Sequence, residues 1–100
     1  MATIQHTVVF RLKHDVGSVE ETGFLNATAK LAEIPGVKNL QCLRQVSAKN
    51  DFTFGLSMEF DSQDDYDAYS AHAIHAQFVE TRWIPEVETF TEIDYVPWRD

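Results

Sequence analysis

Polar and apolar positions alternate strictly at the start of the chain. Ile4, His6, Val8, Phe10 and Leu12 interleave with Gln5, Thr7, Val9, Arg11 and Lys13. A period of two predicts a strand with one apolar face. Val9 makes the second face partly apolar as well, so this strand can be covered on both sides. Ser18 and Glu21 have capping-box spacing and predict a helix start. Phe24, Ala27, Thr28 and Leu31 then share one helical stripe, and Pro35-Gly36 ends the helix. Residues 37–46 read as a second strand, with Leu40, Cys42 and Val46 on one face. Ser47 to Asp51 form a polar turn. Phe52, Phe54, Leu56, Met58 and Phe60 alternate with Thr53, Gly55, Ser57 and Glu59, the clearest strand pattern in the chain. The second and third strands should form an antiparallel hairpin.

Ser62, followed by Asp65, predicts a second helix, with Asp64, Asp65 and Asp67 placed where the positive end of the helix dipole favours carboxylates. Tyr66, Tyr69 and Ala73 share a stripe. A further helical piece covers 73–82 and should end before Pro85. Residues 87–95 read as a last strand, whose inward face is contested between Phe90 and the set Val87, Ile93 and Tyr95. The order β-α-β-β-α-β predicts an α+β fold of ferredoxin-like type, a four-stranded antiparallel sheet with helices on one face. The other sheet face needs cover. Val9, Val87 and Ile93 are its candidate apolar residues, and a second copy of the chain is the expected cover.

At 100 residues the chain fits one domain, 1–100. Hydrophobic residues make up 44%, including seven Phe, three Tyr and two Trp, which argues for a packed core. The formal net charge is −8, and the eight basic residues form no run. Nucleic acid and anionic membrane surfaces are therefore poor partners, since both need clustered Lys and Arg. The N-terminus lacks the layout of a signal peptide and no apolar run suggests a membrane span, so a cytoplasmic location is expected. Cys42 is the single cysteine, so no intrachain disulfide can form; its strand pattern predicts a buried thiol.

Five local patterns occur in order: His6-Thr-Val-Val-Phe10, Ile34-Pro-Gly-Val37, Phe60-Asp-Ser62, Tyr69-Ser-Ala-His72-Ala-Ile-His75-Ala-Gln-Phe78, and Asp94-Tyr95. Together they resemble the stress-responsive dimeric α/β-barrel family over nearly the whole chain. The resemblance implies a homodimer whose two sheets pack face to face as a barrel, with a cleft between sheet and helices in each subunit. Members include stress-associated plant proteins and a plant polyketide cyclase. In that cyclase a histidine of the second helical region acts as general base, a tyrosine six residues earlier holds the substrate carbonyl, and a first-strand histidine lines the cleft. The matching positions are His75, Tyr69 and His6. The cyclase has Tyr-Thr-His in its third strand where this chain has Phe52-Thr53-Phe54, and His-Pro-x-His where this chain has His72-Ala-Ile-His75.

The residue types suit such chemistry on their own. An imidazole can accept a proton near neutral pH, and a phenol can hydrogen-bond a developing oxyanion. The plainer reading makes His6 and His75 partly buried groups bonded to backbone carbonyls, with Tyr69 a core aromatic. Cleft walls are expected from Val8, Phe10, Leu40, Phe54 and Leu56 on the strands and from Phe24 and Phe78 on the helices, each also suited to plain core packing. Such a cleft would suit a small hydrophobic or aromatic ligand. His72 and His75 could share a metal, but no motif supplies a third ligand, and Glu88 and Glu92 remain unassigned, so no metal or cofactor is expected. His72 reads as a cap or turn residue, His14 as an exposed loop residue, and Trp83 and Trp98 as packing or dimer-contact residues. No phosphate-binding glycine loop, Ser-His-Asp order or Cys-His pair is present. Three functions stay open: a homodimer binding a small hydrophobic ligand, a cofactor-free cyclase or lyase, and a structural stress protein.

Overall fold

The computed structural model describes residues 3–99. Strand β1 (Ile4–Leu12) leads into helix α1 (Val19–Ala27), which tightens into a 3-10 helix (Thr28–Glu33). The hairpin β2 (Lys38–Arg44) and β3 (Phe54–Phe60) follows. Then come α2 (Gln63–Ala71), α3 (Ala73–Phe78), a π-helical turn (Val79–Trp83), the short α4 (Ile84–Glu86) and β4 (Val87–Tyr95). All pairings are antiparallel, in the order β2-β3-β1-β4. This is the ferredoxin-like arrangement.

Both expected caps form. Ser18 Oγ accepts from the Glu21 backbone N–H at 3.1 Å, and Glu21 Oε1 accepts from the Gly17 N–H at 3.0 Å. Ser62 Oγ accepts from the Asp65 N–H at 3.1 Å. Each cap satisfies a donor that the first helical turn leaves orphaned. Gly36 has φ +91°, and a Cβ there would sit 3.3 Å from Asp65 Cβ, so glycine lets the chain turn beneath α2.

Directly paired residues share a sheet face. Ile4, Val8, Phe10 and Leu12 on β1 and Phe54, Leu56, Met58 and Phe60 on β3 are buried toward the helices. Phe24, Leu31, Ile34, Tyr69 and Phe78 complete the core from the helical side. The opposite face carries Val9, Leu43, Ile93 and Tyr95 among polar neighbours, with Leu43 46% and Ile93 44% exposed.

Several details depart from expectation. Val87 does not lie on the open face: a register shift between Arg11 and Leu12 pairs it with Leu12, and it is buried in the core. The inward residues of β4 are Phe90, Glu92 and Asp94, opposite Phe10, Val8 and His6. The helical segment runs through Pro85 instead of ending before it. Pro85 sits in the first turn of α4, where a missing N–H breaks no helical bond. Cys42 is exposed rather than buried, because β2 is an edge strand, and Val46 lies beyond the strand in solvent. His14 is not free in its loop: its Nε2 lies 2.7 Å from Glu86 Oε1. No helix among the described residues is long and apolar enough to cross a membrane.

Candidate functional site

The helical layer leaves a gap over strands β3, β1 and β4. There a cleft of about 320 Å³ opens between the strands, the α2–α3 junction and the π-helical turn. Val8, Leu56 and Met58 form its floor, Leu31 and Phe78 close one side, Val79 and Trp83 come from the turn and Ile84 from the start of α4. Its polar members are His6, Tyr69, His75 and Glu92.

The local chain path explains why these side chains meet. Period-two alternation puts His6 on the same face of β1 as Val8. The β1–β4 register sets Glu92 opposite Val8. Helix α2 stops at Ala71, and His72, with extended φ −70° and ψ 143°, caps α3 by accepting the Ile74 N–H on Nδ1 at 3.1 Å. That break lets Tyr69 from the end of α2 and His75 from the start of α3 come together, with ring centroids 4.7 Å apart. His72 is thus a cap and not a member of the cleft.

Hydrogen bonds set the chemistry of each ring. His75 Nδ1 lies 3.1 Å from the Ser70 carbonyl oxygen. A carbonyl only accepts, so Nδ1 carries the proton and Nε2 keeps its lone pair. Burial lowers the His75 pKa below the ordinary 6.5, and the neighbouring His6 adds to this; the Ser70 carbonyl and Glu92 oppose it. His75 is therefore a neutral base at pH 7. Burial, and then the Glu92 charge, push the Tyr69 phenol well above its ordinary range, so it stays a protonated donor. Among the described residues the Tyr69 hydroxyl has no hydrogen-bond partner, yet it is not sealed from the cleft.

His6 is held differently. Its Nδ1 lies 2.5 Å from Asp94 Oδ1 and 2.9 Å from the Tyr66 hydroxyl, and the Tyr66 O–H donates to Asp94 Oδ2 at 2.7 Å. With the phenol proton committed to the carboxylate, the Nδ1–H of His6 is shared between Asp94 and the phenol oxygen. Burial first, then the bond to Asp94, raise the Tyr66 pKa, which keeps that proton in place. A second imidazole is thereby fixed with Nε2 free. Its ring is 6.1 Å from Tyr69.

Of the residues expected at the site, His6, Tyr69 and His75 converge, and Val8, Leu56 and Phe78 line the cleft with them. Phe10, Phe24, Leu40 and Phe54 do not line it. Phe10 and Phe24 are enclosed by other aromatic rings, Phe54 sits under Arg44 at the far end of β3, and Leu40 packs on the core from the edge strand. Trp83 lines the cleft and also packs on Phe10, Phe24 and Phe90, whereas Trp98 is 87% exposed. Sequence reasoning missed Leu31, Met58, Val79, Trp83, Ile84, Phe90 and Glu92 as lining residues. Met58 was legible, since it shares the alternating face of Leu56. Glu92 was hidden by the uncertain register of β4, and Val79, Trp83 and Ile84 by the π-helical turn, which breaks the 3.6-residue period. Among the described residues no three His, Cys, Asp or Glu side chains converge as metal ligands.

Comparison with known proteins places this geometry. A ferredoxin-like protein of the same family from Mesorhizobium loti is 52% identical, with TM-score 0.94 over 97% of this chain and 98% of that one. A stress-response A/B barrel domain-containing protein of Arabidopsis thaliana is 27% identical over 95 residues, which cover 93% of this chain and 36% of the relative. The chain thus spans about a third of the length of that curated relative. Two more distant structures share the fold alone. One is a dimeric ferredoxin-like protein from Thermobifida fusca (22% identical, TM-score 0.80, covering 96% of this chain and 92% of that one). The other is a hydroxynitrile lyase from Passiflora edulis (16% identical, TM-score 0.84, covering 98% and 95%). The family model described as the stress responsive A/B barrel domain matches residues 4–97, from the first residue of β1 to beyond the end of β4, and the chain belongs to that family.

Proposed function

We propose that the chain acts as a homodimer that binds a small, mostly apolar molecule in the cleft between its sheet and helices. The observation that carries this reading is the convergence of His6, Tyr69 and His75, each with unused hydrogen-bonding capacity, on an apolar hollow of about 320 Å³. Three polar side chains that face one mostly apolar hollow are suited to a ligand carrying an oxygen function on a hydrophobic body. The dimer is supported by the open sheet face, where Val9, Leu43 and Ile93 form an apolar centre, and by the dimeric relative of the same fold. A four-stranded sheet cannot close into a barrel alone, and a two-fold partner supplies the missing strands.

The tautomer of His75 favours a second reading, cofactor-independent proton transfer of the lyase or cyclase type. His75 Nε2 would take a proton from a carbon beside a carbonyl, or from the hydroxyl of a cyanohydrin. In the first case the electron pair moves onto the carbonyl oxygen, which Tyr69 stabilises by donating its O–H. In the second the oxygen re-forms a carbonyl as cyanide leaves. The lyase neighbour lends this reading a reaction class on the same fold, not matched residues.

Trp98→Phe leaves Trp83 as the sole tryptophan and a reporter in the cleft wall. Titration with small aromatic aldehydes, ketones and alcohols should give saturable fluorescence changes that Tyr69→Phe and His75→Ala weaken. A flat response to the whole panel would leave the structural-protein reading standing. Turnover of an aromatic cyanohydrin or a β-polyketide thioester should vanish in His75→Ala; retained turnover removes His75 as the base. Sedimentation at micromolar concentration should give about twice the chain mass, and Ile93→Lys should halve it.

A further inference from the structure

We infer that Glu92 sets the charge selectivity of the cleft, admitting neutral and cationic ligands, rejecting carboxylates and favouring a small apolar amine. The inference rests on the cleft being a ligand site. Three successive inward positions of β4 face the helices: Phe90, Glu92 and Asp94. Asp94 is engaged by His6 and Tyr66. Glu92 lines the cleft but accepts no side-chain hydrogen bond and joins no ion pair among the described residues. No lysine or arginine lines the cleft either. With His75 held neutral by burial and His6 engaged by Asp94, Glu92 is the formal charge of the cleft that no ion pair among the described residues meets.

A bound carboxylate would meet that charge at close range with nothing to neutralise it. A bound ammonium would have a counter-ion, and its ring would rest on an aromatic wall. Trp83 and Phe90, 5.4 Å apart and edge-on, supply that wall beside Glu92 and can also face the cation. The net charge of −8 adds a field of the same sign. Glu92 is exposed at the cleft mouth, and for a ligand charge about 5 Å from its carboxylate, changing the sign shifts affinity by roughly tenfold at the dielectric of water.

The test uses three probes with one ring, benzylamine, benzyl alcohol and benzoate, titrated at low salt and pH 7.5 against the Trp98→Phe protein and its Glu92→Gln derivative. Benzylamine should bind tightest and benzoate weakest, with a ratio of roughly tenfold or more. In Glu92→Gln that ratio should collapse toward one, while the affinity for benzyl alcohol stays within about twofold. An unchanged ratio in Glu92→Gln, or benzoate binding as well as benzylamine to the parent, overturns the inference and leaves the ligand site intact. Failure of all three probes to bind overturns the ligand site and this selectivity together.

Discussion

Truncating Phe24 separates core from cleft. Sequence reasoning allows Phe24 in either place, and the fold gives it to the core. Its ring is 0% exposed and meets Phe10 and Phe78 at 5.7 Å and Trp83 at 6.1 Å, with the Arg82 guanidinium 6.0 Å from its centre. Replacing it with alanine forfeits about 1.5–3 kcal/mol of burial. The surrounding rings collapse only partly into the space, which brings the total to about 3–5 kcal/mol. A domain of this size is stable by about 5–15 kcal/mol, so Phe24→Ala removes about a fifth or more and can abolish folding. Phe24→Leu is the gentler variant, at up to about 1.5 kcal/mol. Neither should change ligand affinity in the folded fraction. The matched control is Ile84→Ala: Ile84 lines the cleft but is 66% exposed, so stability should move by about 0.5 kcal/mol or less while affinity falls. Urea unfolding at one fixed protein concentration, followed by Trp83 fluorescence, measures stability without the mass-action shift of a dimer. If Phe24→Leu unfolds at the parent midpoint yet loses most of its ligand affinity, Phe24 walls the cleft and the core assignment is wrong.

Three other outcomes follow from the same geometry. The folded-state pKa of His75 lies below the unfolded 6.5, so the unfolded chain takes up a proton first as pH falls. Stability present above pH 6.5 is thus lost between 6.5 and the folded value, and His75→Gln should flatten that part of the urea midpoint against pH; equal slopes would show that His75 is not held neutral. Asp94→Ala removes the acceptor that pins His6, so the ring-nitrogen NMR signals of His6 should move away from a single Nδ1–H form, and an unchanged spectrum would deny Asp94 that role. Ser18→Ala deletes the α1 cap and should cost about 1 kcal/mol, read as a fall of about 4–8 °C in Tm; no fall would mean that the Glu21–Gly17 bond suffices.

Local signals made much of the fold legible. Alternation marked β1 and β3, and the Ser18 and Ser62 caps marked two helix starts, because these depend on near neighbours in the chain. The pattern also placed His6 inward, whereas Tyr69 and His75 were joined only by the family resemblance. It could not separate residues facing a gap from those packed beneath a helix. Phe10 and Val8 are both inward on β1, yet Phe10 is enclosed by Phe24, Phe54 and Trp83, while Val8 reaches the cleft.

Strand and helix periods, caps and the hairpin are written in the order of amino acids, since each rests on backbone geometry and burial preference within a few residues. Long-range packing alone assigns the sheet edges, so that Cys42 is exposed, and the register of β4, so that Glu92 meets the cleft and Val87 the core. It also fixes where the helical layer stops short of the sheet. Those outcomes depend on contacts between segments far apart in the chain, and a local pattern of polar and apolar residues carries no record of which distant segment will cover it.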